Sequence, residues 1–192
     1  MDIQSLTHAI YEDLEPQIVA CRLADGNLVI ELECTDWSGS ARRRLFELVC
    51  SQVKESHVLI GEVGFIDFVD EHPVLLEHTG PQGGLYFSSK PACPAEVYLV
   101  AHQVLDDIFK GWIEPRHFLN GGPNNIHTYL AGGFGLLANG PLAALAPLCE
   151  ATTPLLKLSL VQTHVAQGSS KALLLGSCWV VCEAVAVIER GD

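Results

Sequence analysis

Positive charge is scarce in this sequence: 11 Lys and Arg stand against 23 Asp and Glu, a net charge of -12 over 192 residues. A chain so poor in base repels nucleic acid and anionic membrane and favours cationic partners. The run Arg42-Arg43-Arg44 is the one basic cluster, and it is too small for a nucleic-acid footprint. Set among acids, it reads as a solvated strand edge or as an internal ion-pair donor. Long apolar runs are also missing. The stretches around 131–148 and 173–188 are broken by Gly, Pro, Asn, Cys or Glu and fall short of a membrane span. The opening residues lack a basic region followed by an apolar stretch, so no secretory signal is read there. The expectation is a soluble cytoplasmic protein with neither nucleic acid nor membrane as a partner.

Catalytic and metal signatures are likewise absent. There is no Gly-Lys-Ser or Gly-Lys-Thr phosphate loop, no His-Glu-x-x-His helix and no serine nucleophile elbow. The seven cysteines are scattered without a short framework, and an odd number argues for reduced thiols. Cys21, Cys34 and Cys50 fall in or at the end of apolar strand patterns, where cysteine behaves as a small hydrophobe. Cys178 and Cys182 are four apart with no second pair beside them, so zinc is not expected, nor any cofactor. Two weaker constellations leave an alternative open, a small hydrolase. Asp70-Glu71-His72 followed by His78 gathers carboxylates and imidazoles, and Cys50 with His57 supplies a thiol and a base. Neither has a local signature, and a reactive thiolate needs an electropositive setting that this acidic region does not offer. The glycine-rich stretch 130–141 reads better as close helix packing than as a phosphate cradle.

What the chain does have is an uneven distribution of its charge. Residues 1–78 hold fifteen acids and five bases, net -10, whereas 79–192 hold eight acids and six bases, net -2. Ile3, Leu6, Ile10 and Leu14 recur at helical spacing ahead of Pro16, so a short amphipathic helix opens the chain. The runs 17–23 and 28–34 flank Ala-Asp-Gly-Asn, a hairpin signal. In the second run Leu28, Ile30, Leu32 and Cys34 alternate with Val29, Glu31 and Glu33, one face core and the other carrying carboxylates. A third strand is expected over 44–49 and a long fourth over 57–69, bent at Gly61 or Gly64. After a loop at 79–84 and a short strand at 85–88, the spacing from Ala95 to Phe109 predicts a helix ending at Gly111. Pro141 restarts a helix to Cys149 after the stretch 126–138, and strands return over 158–165 and 173–189. With no repeat and no long linker, the expectation is one α+β domain, 1–192. It is built as an N-terminal antiparallel meander, a helical middle and C-terminal strands returning to the sheet.

Trp37, in the acidic loop Thr35-Asp-Trp-Ser-Gly, reads as an aromatic anchor ringed by carboxylates. A small acidic α+β chain of this kind, with segments such as His72-Pro-Val-Leu-Leu and Gly132 to Pro141, resembles the immunity proteins that bacteria pair with secreted antibacterial toxins. The resemblance implies a non-enzymatic, stoichiometric inhibitor that covers a toxin's active site. Its partner would be a cationic protein, and a nuclease-type toxin would meet acid in place of substrate phosphate. The expected partner-binding residues are Glu31 and Glu33 on the strand face, Asp36 and Trp37 in the loop, and Asp67, Asp70 and Glu71 at the end of the fourth strand. A homodimer or small-ligand module built on the glycine-rich half stands as a further alternative.

Overall fold

The structure is a computed structural model and describes residues 2–39 and 41–190. In chain order the elements are α1 (Ile3–Glu12), β1 (Leu14–Ala24), β2 (Asn27–Asp36), β3 (Arg42–Ser51), β4 (Glu55–His57), β5 (Gly61–Glu62) and β6 (Ile66–Val69). A 3-10 turn at Pro73–Leu75 precedes β7 (Gly80–Phe87), α2 (Pro94–Phe109), α3 (Ile126–Ala131), β8 (Gly135–Pro141) and α4 (Leu142–Thr152). The chain ends with β9 (Leu158–Ala166), β10 (Lys171–Leu175), β11 (Cys178–Cys182) and β12 (Ala184–Arg190). The architecture is α+β: an N-terminal antiparallel sheet, a helical middle, and a C-terminal strand that rejoins that sheet beside β3. The chain divides into two compact units, one from the residues up to Leu75 together with those from Ser169 onward, the other from Leu76 to Gly168.

In the first unit α1 starts where the Asp2 carboxylate accepts the Ser5 backbone N–H at 2.7 Å, a side-chain cap on an otherwise unpaired donor. That hydrogen bond holds the Asp2 carboxyl below its usual value. Ile3, Leu6 and Ile10 bury one face of the helix. Pro16 cannot continue a helix, and β1 begins two residues ahead of it. Asp25 and Gly26, at φ 50 and 78, make the hairpin turn to β2, with left-handed backbone at both central residues as a two-residue turn requires. The resulting sheet has the order β12-β3-β2-β1-β5 and the second sheet the order β4-β11-β10-β6. Ile30, Leu32 and Cys34 of β2, with Phe46, Leu48 and Cys50 of β3, share one core with Leu173, Leu175, Val180 and Cys182 of the second sheet. Each large side chain buried there contributes about 1.5–3 kcal/mol.

The long fourth strand expected over 57–69 is corrected to three short ones in two different sheets. β5 pairs with β1, while β4 and β6 pair with β11 and β10. The glycines suspected of bending it lie in the breaks: Gly61 has φ 148 and Gly64 follows β5 directly.

In the second unit β8, β7 and β9 form a three-stranded antiparallel sheet, with α4 lying against all three strands and α2 packed on α4. The α2 face Val97, Ala101, Leu105 and Phe109 is buried, and Phe109 stacks on Phe118 with centroids 4.3 Å apart. Of the two glycine-rich stretches read as loop and as helix packing, the first lies in β7 and the second runs from the end of α3 through a turn into β8. At Gly83 an added Cβ would sit 2.5 Å from the Val161 carbonyl oxygen and 2.6 Å from a Leu142 methyl. At Gly140 it would sit 2.8 Å from the Phe118 ring. These glycines permit close approach, but of a sheet to its own cover rather than of helix to helix. Among the described residues no helix is long and apolar enough to cross a membrane.

Candidate functional site

The charge asymmetry survives the division into units. The sequence within the first unit holds seventeen acids and seven bases, net -10, and 76–168 hold six acids and four bases, net -2. Register decides where those acids point. Glu31 lies opposite Glu47, Glu33 opposite Leu45, and Thr35 opposite Arg43 on the face of the first sheet away from the core. Like charges directly opposite each other are unfavourable, and arginine relieves them here. Arg22 reaches Glu31 at 3.2 Å and Glu47 at 2.7 Å, Arg190 reaches Glu47 at 2.5 Å, and Arg43 reaches Glu33 at 3.3 Å. Glu31, Glu33 and Glu47 thus meet three arginines, and this face is a neutral network rather than a bare acidic one. Asp36 is likewise engaged: Ser38 donates to it from backbone and hydroxyl, Arg44 lies 3.3 Å away, and its carboxyl is held below the usual range by those groups in that order. Among the described residues the arginine run pairs with β2 alone, since the ladder between β3 and β12 reaches only Leu45.

Trp37 is different. Its side chain is 58% exposed, its backbone N–H donates to the Asp13 carbonyl at 2.9 Å, and its indole Nε1 donates to the Glu15 carboxylate at 3.3 Å. Glu15 in turn lines a groove of about 290 Å³ with Glu62, over a floor that includes Ile10, Leu14, Pro16 and Val63. Glu62 stands opposite Gln17 because β5 pairs with β1. No lysine or arginine lines this groove, and the neighbouring Glu12 and Asp13 are exposed. The aromatic anchor therefore meets one carboxylate, that of Glu15, which shares its groove with Glu62, and no contact joins it to Glu31 or Glu33 among the described residues. Sequence reasoning passed over Glu15 and Glu62 because they are 47 positions apart. Their approach depends on a two-residue strand without any periodic signal.

Asp67 lies in β6, in the second sheet, and Asp70 and Glu71 follow that strand. These three are exposed, and Asp70 pairs with Lys171 at 2.8 Å. The structure thus places the seven expected partner-binding residues in two groups on different sheets. The thiol and imidazoles of the hydrolase alternative fall on separate elements, Cys50 on β3 and His57 on β4, with His72 and His78 outside the strands. Cys50 is fully buried, and a hydrogen bond with Cys182 together with burial pushes its thiol up. His57 stacks on Trp179 with centroids 6.4 Å apart. Among the described residues no group of three or more His, Cys, Asp or Glu is arranged to hold a metal ion.

The second unit has a larger cavity, about 570 Å³, on its sheet. Gly83, Gly84 and Gly140 leave backbone at its surface, Tyr86 and Leu136 add apolar wall, and Glu77, Asn139, Thr163 and His164 supply polar groups. Two irregularities of register flank it, between Leu85 and Tyr86 in the pairing with β8 and between Gln82 and Gly83 in the pairing with β9. Such bulges re-aim side chains. The Thr163 hydroxyl donates to the Gln82 carbonyl at 3.1 Å and lies 3.1 Å from His164 Nδ1. Neither this cavity nor the groove beside Trp37 is lined by Cys50, His57, His72 or His78. Comparison with protein-family models, with curated proteins and with solved structures finds no match to this chain.

Proposed function

We propose that this protein is an acidic binding protein that neutralises a cationic protein partner, in the manner of the immunity proteins that block secreted antibacterial toxins. The observation that carries the reading is the exposed Trp37 indole tied to Glu15, at a groove lined by two carboxylates and by no base. Exposed aromatic groups beside acid are what a hot spot against a basic surface requires. The arginine network matters to the same reading. With Glu31, Glu33 and Glu47 neutralised, the acids of the α1–β1 end are Glu12, Asp13, Glu15 and Glu62. A cationic active site covered by this surface would meet carboxylates where substrate phosphate would lie. The partner-binding set becomes Asp13, Glu15, Trp37 and Glu62, with Asp67, Asp70 and Glu71 as a second acidic group.

The test is co-expression with the product of the adjacent gene, followed by association kinetics of the purified pair. Co-purification is expected, with an on-rate that falls by about tenfold or more as salt is raised. Charge reversal at Glu15 and Glu62 should slow association, and Trp37→Ala should speed dissociation. An on-rate indifferent to salt and to both reversals would overturn the proposal.

A further inference from the structure

We infer that this protein forms a homodimer by pairing β9 with the β9 strand of a second copy. The inference is independent of the acidic surface, because β9 belongs to the near-neutral unit. A strand at a sheet edge presents a row of unpaired N–H and C=O groups, and folded proteins blunt such edges with charge, proline, shortness or a covering segment. The other edge strands are blunted in one of these ways, and β1, which β5 covers only at Gln17 and Ile18, carries Glu15, Pro16 and Arg22. β5, β4 and β6 have two, three and four residues. β12 ends in Glu189 and Arg190, which are ion-paired to Arg44 and Glu47. The outer edge of β8 is covered: Leu119 bridges Ala138, Asn120 N–H donates to the Leu137 carbonyl, and Asn139 N–H to the Phe118 carbonyl.

β9 has none of these four; its one irregularity is a bulge at Thr163, the extra residue between the Gly83–Gln162 and Gln82–His164 pairs. Its nine residues, Leu-Ser-Leu-Val-Gln-Thr-His-Val-Ala, contain no Asp, Glu, Lys, Arg or Pro. It has a single sheet neighbour, β7, and the seven residues from Ser159 to Val165 are exposed. Its apolar side chains lie on both faces. Leu160 is opposite the buried Leu85 and Val161 is opposite Gly84, so consecutive residues point to opposite sides of the sheet. Val161 and Val165 are about half exposed. A strand that is apolar on both faces and open along one edge fits the continuation of a sheet better than contact with water.

A second copy is the occupant that the chemistry selects. Two identical strands running antiparallel obey a two-fold axis, so each makes the same contacts with the other. Registered about Gln162, the two strands overlap over all nine residues, with the bulged Thr163 of each copy set opposite Val161 of the other. Leu160 then meets His164 and Val161 meets Thr163, with no carboxylate opposed to a carboxylate. An edge of this length spans about 30 Å. Alone it buries less than the roughly 1,200 Å² of a tight complex, so the dimer should form in the micromolar range.

Sedimentation of the full chain from about 1 to 200 µM should show the mass rising from 20.8 kDa toward twice that value. Val161→Lys and Val165→Lys, at exposed positions where the monomer tolerates a long charged side chain, should keep the wild-type thermal transition and abolish the concentration dependence. Amide exchange adds a residue-level readout: alternate β9 amides should be protected at high concentration and open at low. A wild-type chain that stays at 20.8 kDa throughout would overturn the inference. So would a dimer that survives both lysine variants with β9 amides equally open at the two concentrations. A monomer whose β9 amides become protected only when a cationic partner is added would also overturn it, in favour of strand donation by that partner.

Discussion

Arg22 reaches Glu47 across an intervening strand: its Nη2 lies 2.7 Å from the Glu47 carboxylate although β2 separates β1 from β3. Glu47 is 6% exposed and receives a second guanidinium, from Arg190, at 2.5 Å. A carboxylate this buried persists because two arginines satisfy it.

Replacing Glu47 with Gln should therefore destabilise the protein by about 1.5–3 kcal/mol, the range for hydrogen bonds to a charged group. Arg22→Met and Arg190→Met should each cost less, because one guanidinium remains. The double variant should lose more than the two single losses together, since it strands Glu47 without a counter-charge. Urea denaturation of the wild type and the four variants measures this, and strict additivity would show that the two arginines act separately.

Arg44 makes acid the weak side of the first sheet. It lies 2.8 Å from Glu189 and holds that carboxyl below its ordinary 4.5, and it assists Ser38 in holding Asp36 below its ordinary 3.8. Both shifts are depressions, so their contribution is complete above those ordinary values and is lost as pH falls through the lower folded-state values. The wild-type urea midpoint should hold from neutral pH to about 5 and fall below about 4. Arg44→Met should start lower and converge on wild type as the carboxyls protonate. Parallel curves down to the acid limit would mean that these pairs do not contribute.

Thiol reactivity separates the cysteines. Burial pushes the Cys34 thiol up to about 12, and Cys50 is raised by its hydrogen bond with Cys182 and by burial. Cys93, ahead of α2, is exposed. Under native conditions iodoacetamide should modify Cys93 readily, and Cys34, Cys50, Cys178 and Cys182 only as fast as the fold opens. Prompt labelling of Cys50 would show an accessible thiolate and revive the hydrolase alternative.

Much of the fold is legible wherever local pattern and tertiary environment agree. The α1 stripe, the Asp25-Gly26 hairpin, the inward face of β2 and the buried face of α2 each follow from periodicity and turn chemistry within a dozen or so residues. The segments that misled are those whose pattern is ambiguous by itself. The glycines around 83 and 140 carry turn signals, yet they sit in strands because Leu142, Phe118 and the Val161 carbonyl approach them too closely for any side chain. The run 57–69 is apolar enough for one strand, but its ends pair in one sheet and its middle in another.

The residues alone dictate the net charge of -12, its concentration toward the N-terminal part, the α+β class and the core face of the β2 strand. These are properties of composition and of side chains that alternate along one element. Which carboxylates remain available depends instead on how the strands pair. Cross-strand register brings Arg22, Arg43 and Arg190 onto Glu31, Glu33 and Glu47, while the two-residue β5 strand sets Glu62 beside Glu15 without a base. Charge can be counted along a chain, but its neutralisation is a matter of distances between residues far apart in it, and those distances exist only once the strands have paired.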